Sequence, residues 1–179
     1  MIKHIKDFLD YDLISYITDY VNGNIPKAKW QSSLIWDDSI RKKSAIVPYL
    51  PLENEEHILK SLSKKYYDVI GVGDGDKYKM EINYYIWPNL SYIPWHNDGH
   101  RPISSTIYLN KEWQLDYGGF FMYQEDFPNG EYKTIPPLFN SCVINDSQVY
   151  HGTSLTSTDA PYRQTIQVFF HKKEQDESQ

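Results

Sequence analysis

The chain has 179 residues, a formal net charge of −6 and a pI near 5.5, which argues against affinity built on neutralising nucleic-acid phosphates. Its one cysteine, Cys142, excludes an intramolecular disulfide, and the expected location is the reducing cytoplasm. No run approaches the roughly 18 apolar residues of a membrane span, and the opening residues lack the apolar core and cleavage site of a signal peptide.

A chain of this length is expected to be a single domain over 1–179 and to bury its apolar surface without a crosslink or structural metal. Three parts are expected: a mostly helical support region over 1–76, a β core over 77–171 and a polar tail over 172–179.

In 2–21, Ile5, Phe8, Leu9, Leu13, Ile14 and Ile17 recur at helical spacing, which predicts a first helix closed by Asn22-Gly23-Asn24. The pattern over 27–36 is strand-like, and the prolines at 48 and 51 read as punctuation. In 53–70, Ile58, Leu59, Leu62 and Tyr66 predict a second amphipathic helix, packed on one face of a sheet. Gly71-Val72-Gly73-Asp74-Gly75-Asp76 reads as a turn, since it has neither a phosphate-cradle pattern nor calcium-loop spacing.

From 77 onward the texture changes to short β-rich runs separated by turns: 78–87, 91–95, 103–109, 118–123, 132–135, 141–145 and 163–171. Helices ahead of the sheet disfavour a doubly wound fold. The expected class is mainly β with supporting N-terminal helices, a double-stranded β-helix or jelly roll. The 16 tyrosines and 5 tryptophans fit both a β core and a hydroxyl-lined pocket. Cys142, in Ser-Cys-Val-Ile, reads as a packing residue.

The chemistry concentrates in His96-Asn97-Asp98, answered later by His151 and Arg163. Residues two apart on a strand share a face, so His96 and Asp98 can reach one ion. Taken alone, His-x-Asp is a common accident. With His151 it becomes two imidazoles and a carboxylate, a ligand set that holds ferrous iron with positions left open. Arg163 opens a strand on which Arg163, Thr165 and Gln167 share one face. Its planar guanidinium is suited to a carboxylate. The charges of a ferrous ion, Asp98, a 2-oxo dicarboxylate and Arg163 cancel, as a partly buried site requires. His96, Asp98 and His100 form a competing local set. A binding module that uses the same residues structurally, or for zinc, is the reading from another class.

These residues resemble the 2-oxoglutarate and Fe(II)-dependent oxygenase superfamily. The likeness is to the prolyl 4-hydroxylase branch, typified by the hypoxia-factor prolyl hydroxylases and their bacterial and phage relatives. The run Ile107-Tyr108-Leu109-Asn110-Lys111-Glu112-Trp113, then Gly118-Gly119, is similar to that branch's Tyr-Leu-Asn-Lys-acidic-Trp and Gly-Gly. The resemblance spans 77–171.

The resemblance implies His96, Asp98 and His151 as the metal ligands and catalytic centre. It implies Arg163, Tyr108 and Tyr85 as the 2-oxoglutarate contacts, with Thr165 as a further donor. Fe(II), 2-oxoglutarate and dioxygen are the implied cofactors, and ascorbate an accessory. The implied reaction is hydroxylation of a prolyl residue in a protein or peptide, with succinate and carbon dioxide as coproducts. The alternatives are hydroxylation of a free amino acid or other small metabolite, and a non-enzymatic metal-binding jelly roll. No nucleic-acid or membrane partner is expected. The stretches 24–44 and 116–129 are candidate lids. The departures from the branch are a longer stretch between His151 and Arg163, an extra residue between Tyr92 and His96, and Phe169 where the branch has tryptophan.

Overall fold

The structure is a computed structural model that describes residues 1–24, 31–32, 47–75, 77–99 and 101–173. The segments 25–30, 33–46 and 174–179 lie outside the described residues. So do most of the predicted strand over 27–36, most of the first candidate lid and most of the polar tail.

The chain opens as a strand, β1 (Ile2–Ile5), where helical periodicity predicts a helix from residue 2. β1 pairs antiparallel with Cys142–Asn145, Ile5 opposite Cys142. Asp7 takes φ 51, which turns the chain out of the strand. Asn140 then binds the exit through its side chain, accepting from Leu9 N and donating to Leu9 O, each at 2.8 Å. Long-range pairing thus overrides local periodicity, which cannot classify a segment this short.

Helix α1 (Tyr11–Asn24) buries Leu13, Ile14, Ile17 and Val21, the spacing of one helical face. Helix α2 (Glu56–Ile70) starts where the Glu55 side chain accepts from Ile58 N at 2.8 Å, and ends at Gly71 in the left-handed region. Its buried stripe is Ile58, Leu62 and Tyr66. Among the described residues no helix is long and apolar enough to cross a membrane.

The remaining strands are β2 (Gln31–Ser32), β3 (Pro48–Pro51), β4 (Tyr78–Trp87), β5 (Ile93–His96), β6 (Ile103–Tyr108), β7 (Phe121–Gln124), β8 (Lys133–Ile135), β9 (Cys142–Asn145), β10 (Tyr150–Thr153) and β11 (Arg163–Lys172). They form a seven-stranded sheet, β1-β9-β6-β11-β4-β3-β2, and a four-stranded sheet, β5-β10-β7-β8. This is the expected jelly roll. The Pro48–Pro51 segment, which reads as punctuation, is a strand paired with β4. β10 is an additional strand, and it carries His151.

The two faces of the large sheet do different work. One carries Met80, Ile82, Ile103, Ile107, Ile144, Ile166, Val168 and Phe170 against Ile17, Ile58, Leu62 and Tyr66 of the helices. The other looks toward the small sheet, where Tyr108 and Val143 meet Phe121 and Ile135. In register along this inner face lie Trp87 with Arg163, then Tyr85 with Thr165 and Tyr108, then Asn83 with Gln167 and Thr106, then Glu81 with Phe169, Ser104 and Asn145. The predicted face of Arg163, Thr165 and Gln167 is therefore the inward one.

Candidate metal centre and cosubstrate pocket

His96 ends β5 and stands directly opposite His151 on β10. Sheet pairing brings the two rings to 4.4 Å between centroids. Each histidine sets its ring on the carbonyl two residues back: His96 Nδ1 lies 2.7 Å from Pro94 O, and His151 Nδ1 2.8 Å from Val149 O. A carbonyl only accepts, so each Nδ1 carries the hydrogen and each Nε2 keeps its lone pair. Asp98 lies beyond the strand end, in a turn that Arg101 N closes on Asp98 O at 3.1 Å. Asp98 therefore reaches its place without strand alternation, and the Ser104 hydroxyl holds it by donating to Oδ2.

The three side chains converge. His96 Nε2 is 3.8 Å from Asp98 Oδ1, and His151 Nε2 is 3.7 Å from Asp98 Oδ2. One donor atom from each lies within 4.8 Å of the others. These separations are too long for hydrogen bonds. They approach the roughly 3–3.5 Å between donors that share one ion at about 2.1 Å. All three residues are buried, at 8–9% exposure. Burial, with His151 alongside, lowers the His96 pKa to about 4, so the imidazole is neutral, as a ligand must be. Donor types, tautomers and burial together fit a ferrous ion. The competing ligand His100 lies outside the described residues.

A cavity of about 30 Å³ opens on the triad, lined also by Ser104, Thr106, Gln167 and Phe169. A cavity of about 810 Å³ is a groove between α2 and the 71–75 turn, lined by Leu59, Lys60 and Tyr67, and none of the triad residues borders it. Chemistry and volume are thus found in different places.

Arg163 is 2% exposed on the inner face, two strand periods up β11 from the cavity residue Gln167. Its NH1 donates to Gly119 O at 3.0 Å, and the guanidinium lies 5.2 Å from the Trp87 ring. Among the described residues, Arg163 Nε has no hydrogen-bond partner, and Arg163 makes no ion pair with a carboxylate. Desolvation lowers its pKa to about 10, so it stays charged at neutral pH. A buried cation without a counter-charge is costly, and an incoming carboxylate relieves that cost.

Tyr108 is 1% exposed, and burial raises its pKa to about 12 against the opposing field of Arg163. It therefore offers an O–H to an anion. The buried Tyr85 hydroxyl has no partner among the described residues, and its ring stacks between Tyr49 and Trp87 at 5.4 and 5.5 Å. Thr165 Oγ1 accepts from Trp87 Nε1 at 3.0 Å and keeps its own hydrogen to donate.

The long stretch between His151 and Arg163 is stitched into the fold. Ser154 N donates to Phe120 O, Thr156 N to Ser91 O and Ser157 N to Tyr117 O, at 2.9–3.0 Å. It packs against Gly118 and Gly119, both at positive φ. A Cβ on Gly118 would meet Leu155 O at 2.3 Å, and one on Gly119 would lie 3.4 Å from Arg163 NH1. Gly118 thus lets the 154–157 stretch pack closely, and Gly119 is the cradle for Arg163. The second candidate lid, 116–129, supplies this cradle and β7.

Ser104, Asn145 and Trp87 are site residues that motif reading passes over, and the Gly119 of the Gly-Gly motif proves to contact Arg163. The signal for Ser104 is alternation: Ser104, Thr106 and Tyr108 are polar on the face opposite Ile103 and Ile107.

Fold and site define a jelly roll with a buried His/Asp/His cluster and, on one sheet face, a buried arginine that pairs with no carboxylate among the described residues. The sequence profile of the 2OG-Fe(II) oxygenase superfamily matches residues 67–171. The chain belongs to that superfamily, and its cofactors are Fe(II), 2-oxoglutarate and dioxygen. Among solved structures it is similar to a Pseudomonas putida prolyl-4-hydroxylase, at 15% identity and TM-score 0.73 over 95% of this chain and 92% of the other. A Trichoplax adhaerens prolyl hydroxylase in complex with a hypoxia-inducible-factor peptide fragment aligns at 17% identity and TM-score 0.72, over 95% and 83%. The epimerase SnoN of nogalamycin biosynthesis aligns at 11% and 0.64, over 95% and 78%. No curated protein matches the sequence.

Proposed function

We propose that this chain is a hydroxylase in which His96, Asp98 and His151 hold ferrous iron and Arg163, Tyr108 and Tyr85 hold 2-oxoglutarate. One observation carries it: a buried guanidinium, without a carboxylate partner among the described residues, lies on the same inward sheet face that borders the ligand cluster. Arg163 takes the far carboxylate of the cosubstrate, with the Tyr108 hydroxyl as a second donor. Tyr85, one strand over, with a hydroxyl that has no partner among the described residues, is the third contact. The neutral Nε2 atoms of His96 and His151 and the Asp98 carboxylate occupy one side of the ion. The chemistry supplied by iron, cosubstrate and dioxygen is oxidative decarboxylation to succinate and carbon dioxide, coupled to insertion of oxygen into a substrate C–H bond. Phe121, stacked 5.2 Å from His151, and Phe169 help exclude water.

The proposed substrate is a prolyl residue in a protein or peptide, a reading supported by the likeness to two prolyl hydroxylases. A free amino acid or other small metabolite is the second reading, for which the charged groups next to Phe169 offer anchors. The Arg101 guanidinium sits 4.3 Å from the Phe169 ring, and Glu81 Oε2 lies 2.8 Å from His171 Nε2.

The test is anaerobic titration with Fe(II) and 2-oxoglutarate, followed by exposure to air with panels of prolyl peptides and free amino acids. The expected results are a weak visible charge-transfer band, then succinate formation and the mass gain of one oxygen on a prolyl peptide. The absence of both the band and succinate would refute the hydroxylase. Oxygen gain on amino acids alone would move the assignment to the metabolite.

A further inference from the structure

Asp98 stands past the end of β5, and its side chain, 4% exposed, is anchored from the opposite sheet. Ser104 on β6 donates to Oδ2. Directly across from Ser104, on β9, is Asn145. Its Nδ2 donates to Val149 O at 3.0 Å and its Oδ1 accepts from Val149 N at 3.0 Å. Val149 O is the carbonyl that orients His151. Two adjacent polar residues of the large sheet therefore brace two ligands that belong to the other side of the roll.

We propose that Ser104 is a positioning residue that holds Asp98 as a one-oxygen ligand, so that the oxo-acid end of 2-oxoglutarate finds its coordination positions open. This rests on the ligand set proposed above. A carboxylate beside a dication binds through one oxygen or both. Three protein donors leave three positions of an octahedral ion. A carboxylate that chelates takes a fourth and dictates which two remain, so the oxo acid must either accept that pair or displace the second carboxylate oxygen, and it binds more weakly. The Ser104 hydroxyl opposes this by donating a charge-assisted hydrogen bond to Oδ2, which weakens that oxygen as a donor and favours Oδ1 as the ligating atom. Ser104 is itself 7% exposed, on a strand paired on both sides, so its hydroxyl cannot drift away. Asp98 has no other side-chain hydrogen bond among the described residues, and the Ser104 bond alone sets its rotation.

The test separates the ion from the cosubstrate. Co(II) affinity and visible spectrum are measured for the native chain, Ser104→Ala, Ser104→Cys and Ser104→Thr, then 2-oxoglutarate affinity of each Co(II)-loaded protein. Ser104→Ala is expected to hold Co(II) within about threefold of native, because a freed oxygen replaces the lost orientation. It should bind 2-oxoglutarate at least about tenfold more weakly, the scale of losses around metal ligands. Ser104→Thr keeps the hydroxyl and should restore 2-oxoglutarate binding. Ser104→Cys is a far weaker donor of similar size and should follow Ala; it carries the test where Ala folds poorly.

Native-like 2-oxoglutarate binding in Ala and Cys would overturn the proposal. So would parallel loss of Co(II) and 2-oxoglutarate in Ala and Thr alike, which marks a merely structural role. If the native chain binds no Co(II), or His151→Ala binds it as well as native, the ligand set itself falls and this inference with it.

Discussion

Replacing Arg163 with methionine separates the stability of the empty protein from its affinity for the cosubstrate. Arg163 is 2% exposed, and its hydrogen bond is to Gly119 O at 3.0 Å. Methionine loses that bond, worth about 1 kcal/mol, and the contact with Trp87, about 1 kcal/mol. It also removes a desolvated charge whose burial costs several kcal/mol. The net effect is a gain of about 1 kcal/mol, or a Tm about 2–4 °C higher for a chain of this size.

With 2-oxoglutarate present the sign reverses. Removing one partner of a buried, hydrogen-bonded ion pair costs about 3–5 kcal/mol, and 4 kcal/mol is roughly a thousandfold in Kd. Ligand at a hundred times the native Kd adds about 2.7 kcal/mol to native stability and almost nothing to the variant. Thermal melts of the metal-loaded proteins with and without 2-oxoglutarate read both effects. Retention of most of the ligand-induced shift in Arg163→Met would refute the clamp. A fall of several degrees in the empty variant would refute the claim that Arg163 lacks a counter-charge.

Three further outcomes are expected. His151→Ala loses metal binding and succinate formation while the circular dichroism of the fold persists; metal binding at the native level would remove His151 from the ligands. Gly119→Ala forces a side chain onto φ +71 beside Arg163 NH1, at a cost of about 1–3 kcal/mol. Its KM for 2-oxoglutarate should rise more than its metal Kd, and equal changes would count against the cradle. Burial raises the Cys142 thiol to about 12, so at pH 8 roughly one molecule in ten thousand carries the thiolate. A disulfide reagent should therefore react slowly with the native protein and rapidly once it is unfolded. Fast native reaction would mean that the core beside Tyr66 opens readily.

The long, strongly patterned elements were legible in the sequence. β4 runs over the predicted 78–87, and β11 alternates as its residues imply, because a half-buried strand writes its two faces into every second position. α2 shows its buried stripe for the same kind of reason at a period of 3.6. Short elements were not legible. The first four residues carry too little pattern, and pairing with β9 decides their form.

The chemical identity of the site, two imidazoles, a carboxylate and a guanidinium, was written in the chain, since donor atoms and charge are properties of residue types. Their geometry was not. His96 faces His151 because β5 and β10 pair in that register. Asp98 turns inward because Ser104, on the opposite sheet, holds one of its oxygens. Arg163 is held on the inner face where Gly119, from a distant segment, accepts its hydrogen bond and packs beside it. These are relations between distant segments, made by sheet pairing and close packing, which no local run of residues encodes.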